Sequence, residues 1–245
     1  MNLKDIIKEV LIGLHLDLTH NLKYDRLTRK IMSVVLKPDS NCIDIGCHKG
    51  EMIDEILARS PKGKHFAFEP IPGFFDNLKR KYNSSVQVFP YALSNQKGTT
   101  EFQFVKNDPA YSGLRKRKYD VKNPEIETIQ VNTEKLDNVI PSDQKIDFIK
   151  IDVEGAEFDV LKGAVNTLQH NQPVVIFECG KGASDYYDTN PEELFDFLSD
   201  KAGLQIYTLQ SFVKKASPLS KSEFKTHFDQ NTEYYFVCQS PRRAA

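Results

Sequence analysis

The four cysteines of this 245-residue chain, Cys42, Cys47, Cys179 and Cys238, form no C-x-x-C pair, and three of them sit inside apolar runs. That pattern disfavours zinc ligation and disulfides and favours buried thiols in a reducing compartment, so a cytoplasmic protein is expected. An excess of either charge is missing too. Lys+Arg 33 against Asp+Glu 34 gives a formal net charge of -1, which lacks the basic footprint of a general nucleic-acid binder. No apolar run approaches the ~20 residues of a membrane span. Lys4, Asp5, Lys8 and Glu9 break the start of the chain, so it does not read as an export signal.

What is present is ordinary globular composition, 40% hydrophobic and 27% charged, in a chain long enough for one large α/β domain. Leu3, Ile6, Ile7, Val10, Leu11, Leu14 and Leu18 follow helical spacing. They are read as an N-terminal arm, residues 1–21, that packs on the domain, covers an active site or makes a dimer contact. A second stripe, Leu27, Ile31, Val34 and Val35, ends before Pro38. From there the chain alternates. Strands are expected at Asn41–Ile45, His65–Glu69 and Val86–Pro90, with helices near Glu51–Arg59 and Gly73–Tyr82. Strands alternating with helices imply parallel pairing through right-handed crossovers. Thr99–Val105 and Ile126–Thr133 have strand composition with no helix between them and predict an inserted β segment. The polar stretch Asn107–Asn123, with Arg115-Lys-Arg-Lys118, reads as a solvated loop or as a substrate-facing flap. The alternation resumes with strand Phe148–Asp152, one helix over Ala156–His170, strand Val174–Glu178 and a helix capped by Asn190 and Pro191. Leu204–Leu209 and Tyr234–Cys238 read as a closing antiparallel pair with no helix between them. Residues 22–245 are therefore expected to form one domain.

Asp44-Ile-Gly46 through Gly50 lies where the first strand turns into its helix, the place at which doubly wound sheets bind ligands. This is G-x-x-x-G and not the G-x-G-x-x-G of dinucleotide sites, which disfavours an NAD-dependent oxidoreductase. Asp44 would repel a phosphate and suits a cationic ligand head. Glu69 ends the second strand at about the 20-residue spacing of a carboxylate that accepts ribose hydroxyls. Together they point to a nucleoside-containing cofactor. Lys150 and Asp152 alternate with Ile149 and Ile151 in a strand that should be apolar on both faces. They read as a structural ion pair or as site residues. Asp152, Glu154 and Glu178 stand at carboxyl ends of strands and are expected to converge. Crowded carboxylates raise one another's pKa and suit a general base; hard oxygen ligands would equally suit magnesium, the less favoured reading.

Asp44-Ile-Gly46, Tyr91-Ala-Leu-Ser94, Gly98-Thr-Thr-Glu-Phe102, Leu136-Asp137 and above all Asp147-Phe-Ile-Lys-Ile-Asp-Val-Glu-Gly-Ala-Glu157 with Leu161-Lys-Gly163 resemble the FkbM family of S-adenosylmethionine-dependent methyltransferases. The resemblance covers roughly residues 22 to 210. It implies a seven-stranded Rossmann-like sheet whose last strand is antiparallel, and transfer of a methyl group to a hydroxyl of a saccharide or small-molecule metabolite. It places Gly46, His48 and Gly50 at the methionine end of the cofactor, Glu69 at the ribose, and Tyr91 and Ala92 beside the adenine. Asp152 is expected to border the cofactor, and Glu154 or Glu178 to act as the base, with Lys150 as orienter or electrostatic stabiliser. Where this chain has Cys47 and His48, the family usually carries a small residue and Asn. His48 is expected to hydrogen-bond the cofactor carboxylate as Asn would, or else to make the site pH-sensitive. An RNA methyltransferase, motivated by Arg115 to Lys118, and a non-catalytic nucleoside-binding protein are the alternatives. Oligomeric state is open.

Overall fold

The computed structural model describes residues 19–119 and 122–241; the expected helical stripe from Leu3 to Leu18 lies outside them. Helix α1 (His20–Val35) opens the described chain, with Thr19 capping it by accepting from the Leu22 amide. Its inward stripe is Tyr24, Leu27, Thr28, Ile31 and Met32. The 3.6-residue period carries that stripe away from Val34, which is 65% exposed against expectation.

Alternating strands and helices follow: β1 (Cys42–Ile45), α2 (Glu51–Arg59), β2 (His65–Phe68), α3 (Pro72–Tyr82) and β3 (Gln87–Phe89). Pro90 cannot donate to a ladder and separates β3 from β4 (Tyr91–Leu93). There the chain leaves the main sheet. β4 pairs with β6 (Ile126–Glu134), and β6 pairs antiparallel with β5 (Gly98–Val105), so the inserted β segment is a separate three-stranded sheet. A short helix α4 (Leu136–Val139) leads back to β7 (Phe148–Ile151) in the centre of the main sheet.

The single helix expected over Ala156–His170 is two, α5 (Glu157–Lys162) and α6 (Val165–Asn171). The two meet at Gly163, where a Cβ would stand 2.1 Å from the Ser94 carbonyl oxygen, so only glycine fits there. Asp137 caps α6, accepting from the Asn166 and Thr167 amides. β8 (Val174–Glu178) and α7 (Pro191–Asp196) follow, the latter capped by Asn190 as its sequence signals. Beyond β9 (Gln205–Thr208) the expected loop contains two helices, α8 (Leu209–Val213) and α9 (Lys221–Gln230). The latter has Ser220 and Glu223 in a capping box, a start signal that low apolar content concealed.

The main sheet runs β3-β2-β1-β7-β8-β10-β9, where β10 is Tyr235–Gln239. All observed pairs are parallel except those of β10, which is antiparallel to both β8 and β9. Every residue of β1, β2 and β7 is buried, and their apolar runs are interrupted by Asp44, His65 and Lys150. Burying a Leu, Ile or Phe side chain contributes about 1.5–3 kcal/mol. The paired strands thereby fix the positions of Asp44 and Lys150, which face each other across β1 and β7. No described helix is long and apolar enough to cross a membrane.

Candidate active site

The carboxyl ends of β1, β2, β7 and β8 open into two adjoining cavities. The smaller, ≈ 160 Å³, is lined by Glu69, Ile71, Tyr91, Ala92, Phe102 and Leu114, among others. The larger, ≈ 520 Å³, contains Asp44, Lys150 and Glu178 together with Tyr24, Tyr111, Tyr234 and Tyr235. Gly46, His48, Ala110, Asp152 and Glu154 line both.

Gly46 forms the turn between them. Its φ is +79°, its amide donates to the Phe68 carbonyl, and a Cβ there would stand 1.8 Å from the Asp152 carbonyl oxygen. Only glycine lets β1 and β7 end this close together. Gly50, expected beside the cofactor, lines neither cavity. It starts α2 at φ +81°, its carbonyl accepts from the Tyr82 hydroxyl, and that ring fills the space a side chain would need. Its role is in the turn.

Glu69 lines the small cavity and is 4% exposed. Its two oxygens accept from the Ile71 and His48 amides at 2.9 Å each, so it anchors the glycine loop to β2. Burial pushes its carboxyl up to about 7 against those two hydrogen bonds. Lone pairs remain for hydroxyl donors. Tyr91 and Ala92 meet the same cavity, as expected.

Asp44 is 1% exposed, and neither of its oxygens has a hydrogen-bond partner. Burial raises its pKa to about 6, opposed by Lys150. A buried carboxylate without a donor is costly. It lines the larger cavity, where an ammonium group of a ligand would satisfy it. His48 has φ +47° and its ring packs edge-on to Phe74 at 4.6 Å. Burial, helped by Lys49, lowers its pKa, and its Nε2 is buried with no partner.

Lys150 is both structural and part of the site. Its Nζ donates to Asp152 Oδ2 at 2.8 Å, and the Tyr235 hydroxyl donates to the same oxygen at 2.9 Å. Burial opposes the charge of Asp152, yet Lys150 and Tyr235 hold its pKa below the ordinary value. Asp152, Glu154 and Glu178 converge, each offering an oxygen within 4.8 Å of the others. Glu178 differs from its neighbours: burial first, then the charges of Asp152 and Glu157, raise it to about 8. Glu154 has φ +61° and is ion-paired with Arg117.

Three site residues escape a reading of the sequence. Glu157 Oε1 accepts from the Val153 and Gly155 amides, on either side of Glu154, and so holds that left-handed turn. Its place in the Asp-Val-Glu-Gly-Ala-Glu block was the available signal. Tyr235 arrives from the last strand with no local mark. Arg117 comes from the Asn107–Asn123 stretch, which is a flap: its residues Pro109, Ala110, Ser112 and Leu114 wall the small cavity, and Tyr111 and Arg117 the large one. Arg115 pairs with Asp188 and also donates to the Tyr186 carbonyl. Both arginines of the basic run are thus engaged inside the chain, while Lys116 and Lys118 are exposed.

The Methyltransferase FkbM domain model matches residues 44–204. Among similar proteins, the 2-O-methyltransferase NoeI of Sinorhizobium fredii is 29% identical over 157 residues, 58% of this chain and 65% of that one. The hexuronic acid methyltransferase AglP of Haloferax volcanii is 31% identical over 122 residues, 48% of each chain. The matches thus span about half to two thirds of these relatives' lengths. A crystal structure of an FkbM methyltransferase from Methylobacillus flagellatus shares the fold, with TM-score 0.51 and 16% identity over 83% of this chain and 44% of that one. The family model covers most of the chain, including both cavities' strand ends, and the chain belongs to the FkbM methyltransferase family.

Proposed function

We propose that the protein transfers a methyl group from S-adenosylmethionine to a hydroxyl of a saccharide or small-molecule metabolite. The observation that carries this reading is the junction of two cavities at Gly46, His48, Asp152 and Glu154, with a nucleoside-type carboxylate in one and a carboxylate cluster in the other. Relatives named for 2-O-methylation and for a hexuronic acid acceptor support a sugar hydroxyl.

The donor set fits this cofactor. The orphaned oxygens of Asp44 suit its ammonium group, Glu69 retains acceptor capacity for ribose hydroxyls, and Tyr91, Ala92 and Phe102 offer an apolar wall for a base. When bound, S-adenosylmethionine supplies a methyl group already activated on a cationic sulfur. The chain then has to align the acceptor, exclude water and take a proton, and alignment is the larger contribution. The flap residues Ala110, Ser112 and Leu114 shield the small cavity from water. Glu178 takes the hydroxyl proton at a carboxylate oxygen. Its elevated pKa gives it proton affinity near neutrality, whereas Asp152 is held ionised by Lys150 and Tyr235. The tyrosines of the larger cavity provide ring faces for a sugar, and Asn21, Asn231 and Lys181 provide polar contacts.

Calorimetric titration with S-adenosylhomocysteine tests the reading without knowledge of the acceptor. Saturable one-to-one binding is expected, followed by methyl transfer to a hydroxyl in a screen of sugars and metabolites. Repeating the titration with magnesium and after a chelator separates a base from a metal site. Failure to bind under every condition removes the methyltransferase reading.

A further inference from the structure

The carboxylate cluster at the junction is not left bare, because a cation from the flap stands against it. Arg117 is ion-paired with Glu154 and only 11% of its side chain is exposed. Its Nε donates to the Gly182 carbonyl at 3.1 Å, and its guanidinium lies 5.3 Å from the centre of the Tyr111 ring. These contacts hold it on three sides. Its charge also favours the ionised forms of Asp152 and Glu178, so it acts on all three carboxylates that offer converging oxygens. Arg115, two residues earlier, fastens the same flap through Asp188, the Tyr186 carbonyl and the Tyr187 hydroxyl, which accepts from the Arg115 amide. Gly113 pairs with Gln103 of β5 in both directions. The flap is thus tied to the inserted sheet at one end and to the segment after β8 at the other.

A guanidinium is planar, permanently charged and weakly hydrated, so it can sit in a partly buried acidic site that would otherwise call for a divalent ion. We propose that Arg117 is the built-in cation of the Asp152–Glu154–Glu178 cluster, fixing Glu154 in place and supplying the positive charge that a divalent metal would bring. It is a positioning residue, acting through Glu154 and through the field at Glu178. Lys150 neutralises Asp152 on the opposite side. Among the described residues Glu178 forms no ion pair of its own, and burial with the charges of Asp152 and Glu157 favours its protonated form. The catalytic consequence rests on the proposed methyl transfer; the electrostatic content does not.

The test is Mn²⁺ binding, followed by calorimetry and by the paramagnetic resonance signal of the free ion, in the wild type, Arg117→Met and Arg117→Lys. Arg117→Met is expected to bind Mn²⁺ at least about ten-fold more tightly than the wild type, since one repelling charge a few ångströms from the ion is removed. Arg117→Lys, which keeps the charge, should stay near the wild type. Where Arg117→Met fails to fold, Arg117→Gln carries the same expectation, because it removes the charge while keeping a hydrogen-bonding group beside Glu154. Equal Mn²⁺ affinity in the wild type and the neutral variant overturns the proposal, whether both bind or neither does. Titration of the same samples with S-adenosylhomocysteine reports separately on the methyl donor. Loss of that binding in the wild type would remove the proposed function and leave the Mn²⁺ comparison standing.

Discussion

The two cavities are built in opposite ways. The small one is walled half by the ends of β1, β2 and β4 and half by Phe102, the flap and the turn after β7, and its most buried carboxyl, Glu69, is fastened by two backbone amides. The large one gathers side chains from both ends of the described chain, from Asn21 and Tyr24 on α1 to Tyr234 and Tyr235 before and on β10. Four of its charges are paired already: Lys150 with Asp152, Arg117 with Glu154. A nucleoside pocket needs few contacts of fixed geometry, and a strand-helix turn supplies them locally. A site that removes a proton needs carboxylates at different proton affinities; here burial raises Glu178, while Lys150, two residues away, and Tyr235, from the last strand, hold Asp152 down.

The largest effect should come from Glu178. Changing Glu178→Gln is expected to lower turnover by about 10²–10⁴-fold, the usual worth of a general base, with S-adenosylhomocysteine affinity little changed. The wild-type rate should climb about ten-fold per pH unit and level off near the Glu178 pKa of about 8, as the base must be deprotonated, and Glu178→Gln should lose that limb. Loss of cofactor affinity with unchanged turnover would place Glu178 in the wrong cavity.

Gly46→Ala strikes both cavities at once. A Cβ at 1.8 Å from the Asp152 carbonyl oxygen, on a backbone at φ +79°, should cost about 2–5 kcal/mol from overpacking and left-handed strain, read as a lower unfolding midpoint in denaturant. A next, smaller effect separates the cavities. Glu69→Ala should weaken S-adenosylhomocysteine by about 10–100-fold, in line with hydrogen bonds to a charged group, while leaving Mn²⁺ affinity unaltered.

A separate effect concerns stability. Glu178 in the folded protein has a pKa raised from 4.5 to about 8, so the folded state holds a proton that the unfolded state has released in that window. Its stabilising contribution is full below about pH 4.5 and is lost as pH rises to about 8. Glu178→Gln should therefore match the wild type at low pH and exceed it in unfolding midpoint above pH 8. A constant difference across the range would show that Glu178 does not titrate as its surroundings dictate.

By itself the sequence determined the alternation of strands and helices, the turn at Asp44-Ile-Gly46, the carboxylate ending β2, and the convergence of Asp152, Glu154 and Glu178 at neighbouring strand ends. These follow from short-range rules: period, caps, glycine at a strand-to-helix turn, and the certainty that parallel strands end on the same side. Tertiary structure alone decided the rest. Residue 163 must be glycine because the Ser94 carbonyl leaves no room for a side chain. Gly50 belongs to packing because Tyr82 lies over it. Arg117 reaches Glu154, and Tyr235 reaches Asp152, across segments with no periodic relation to one another. Which carboxyl keeps its proton is set by burial and by cations from elsewhere in the chain, and those distances exist only once the sheet, the flap and the last strand have packed.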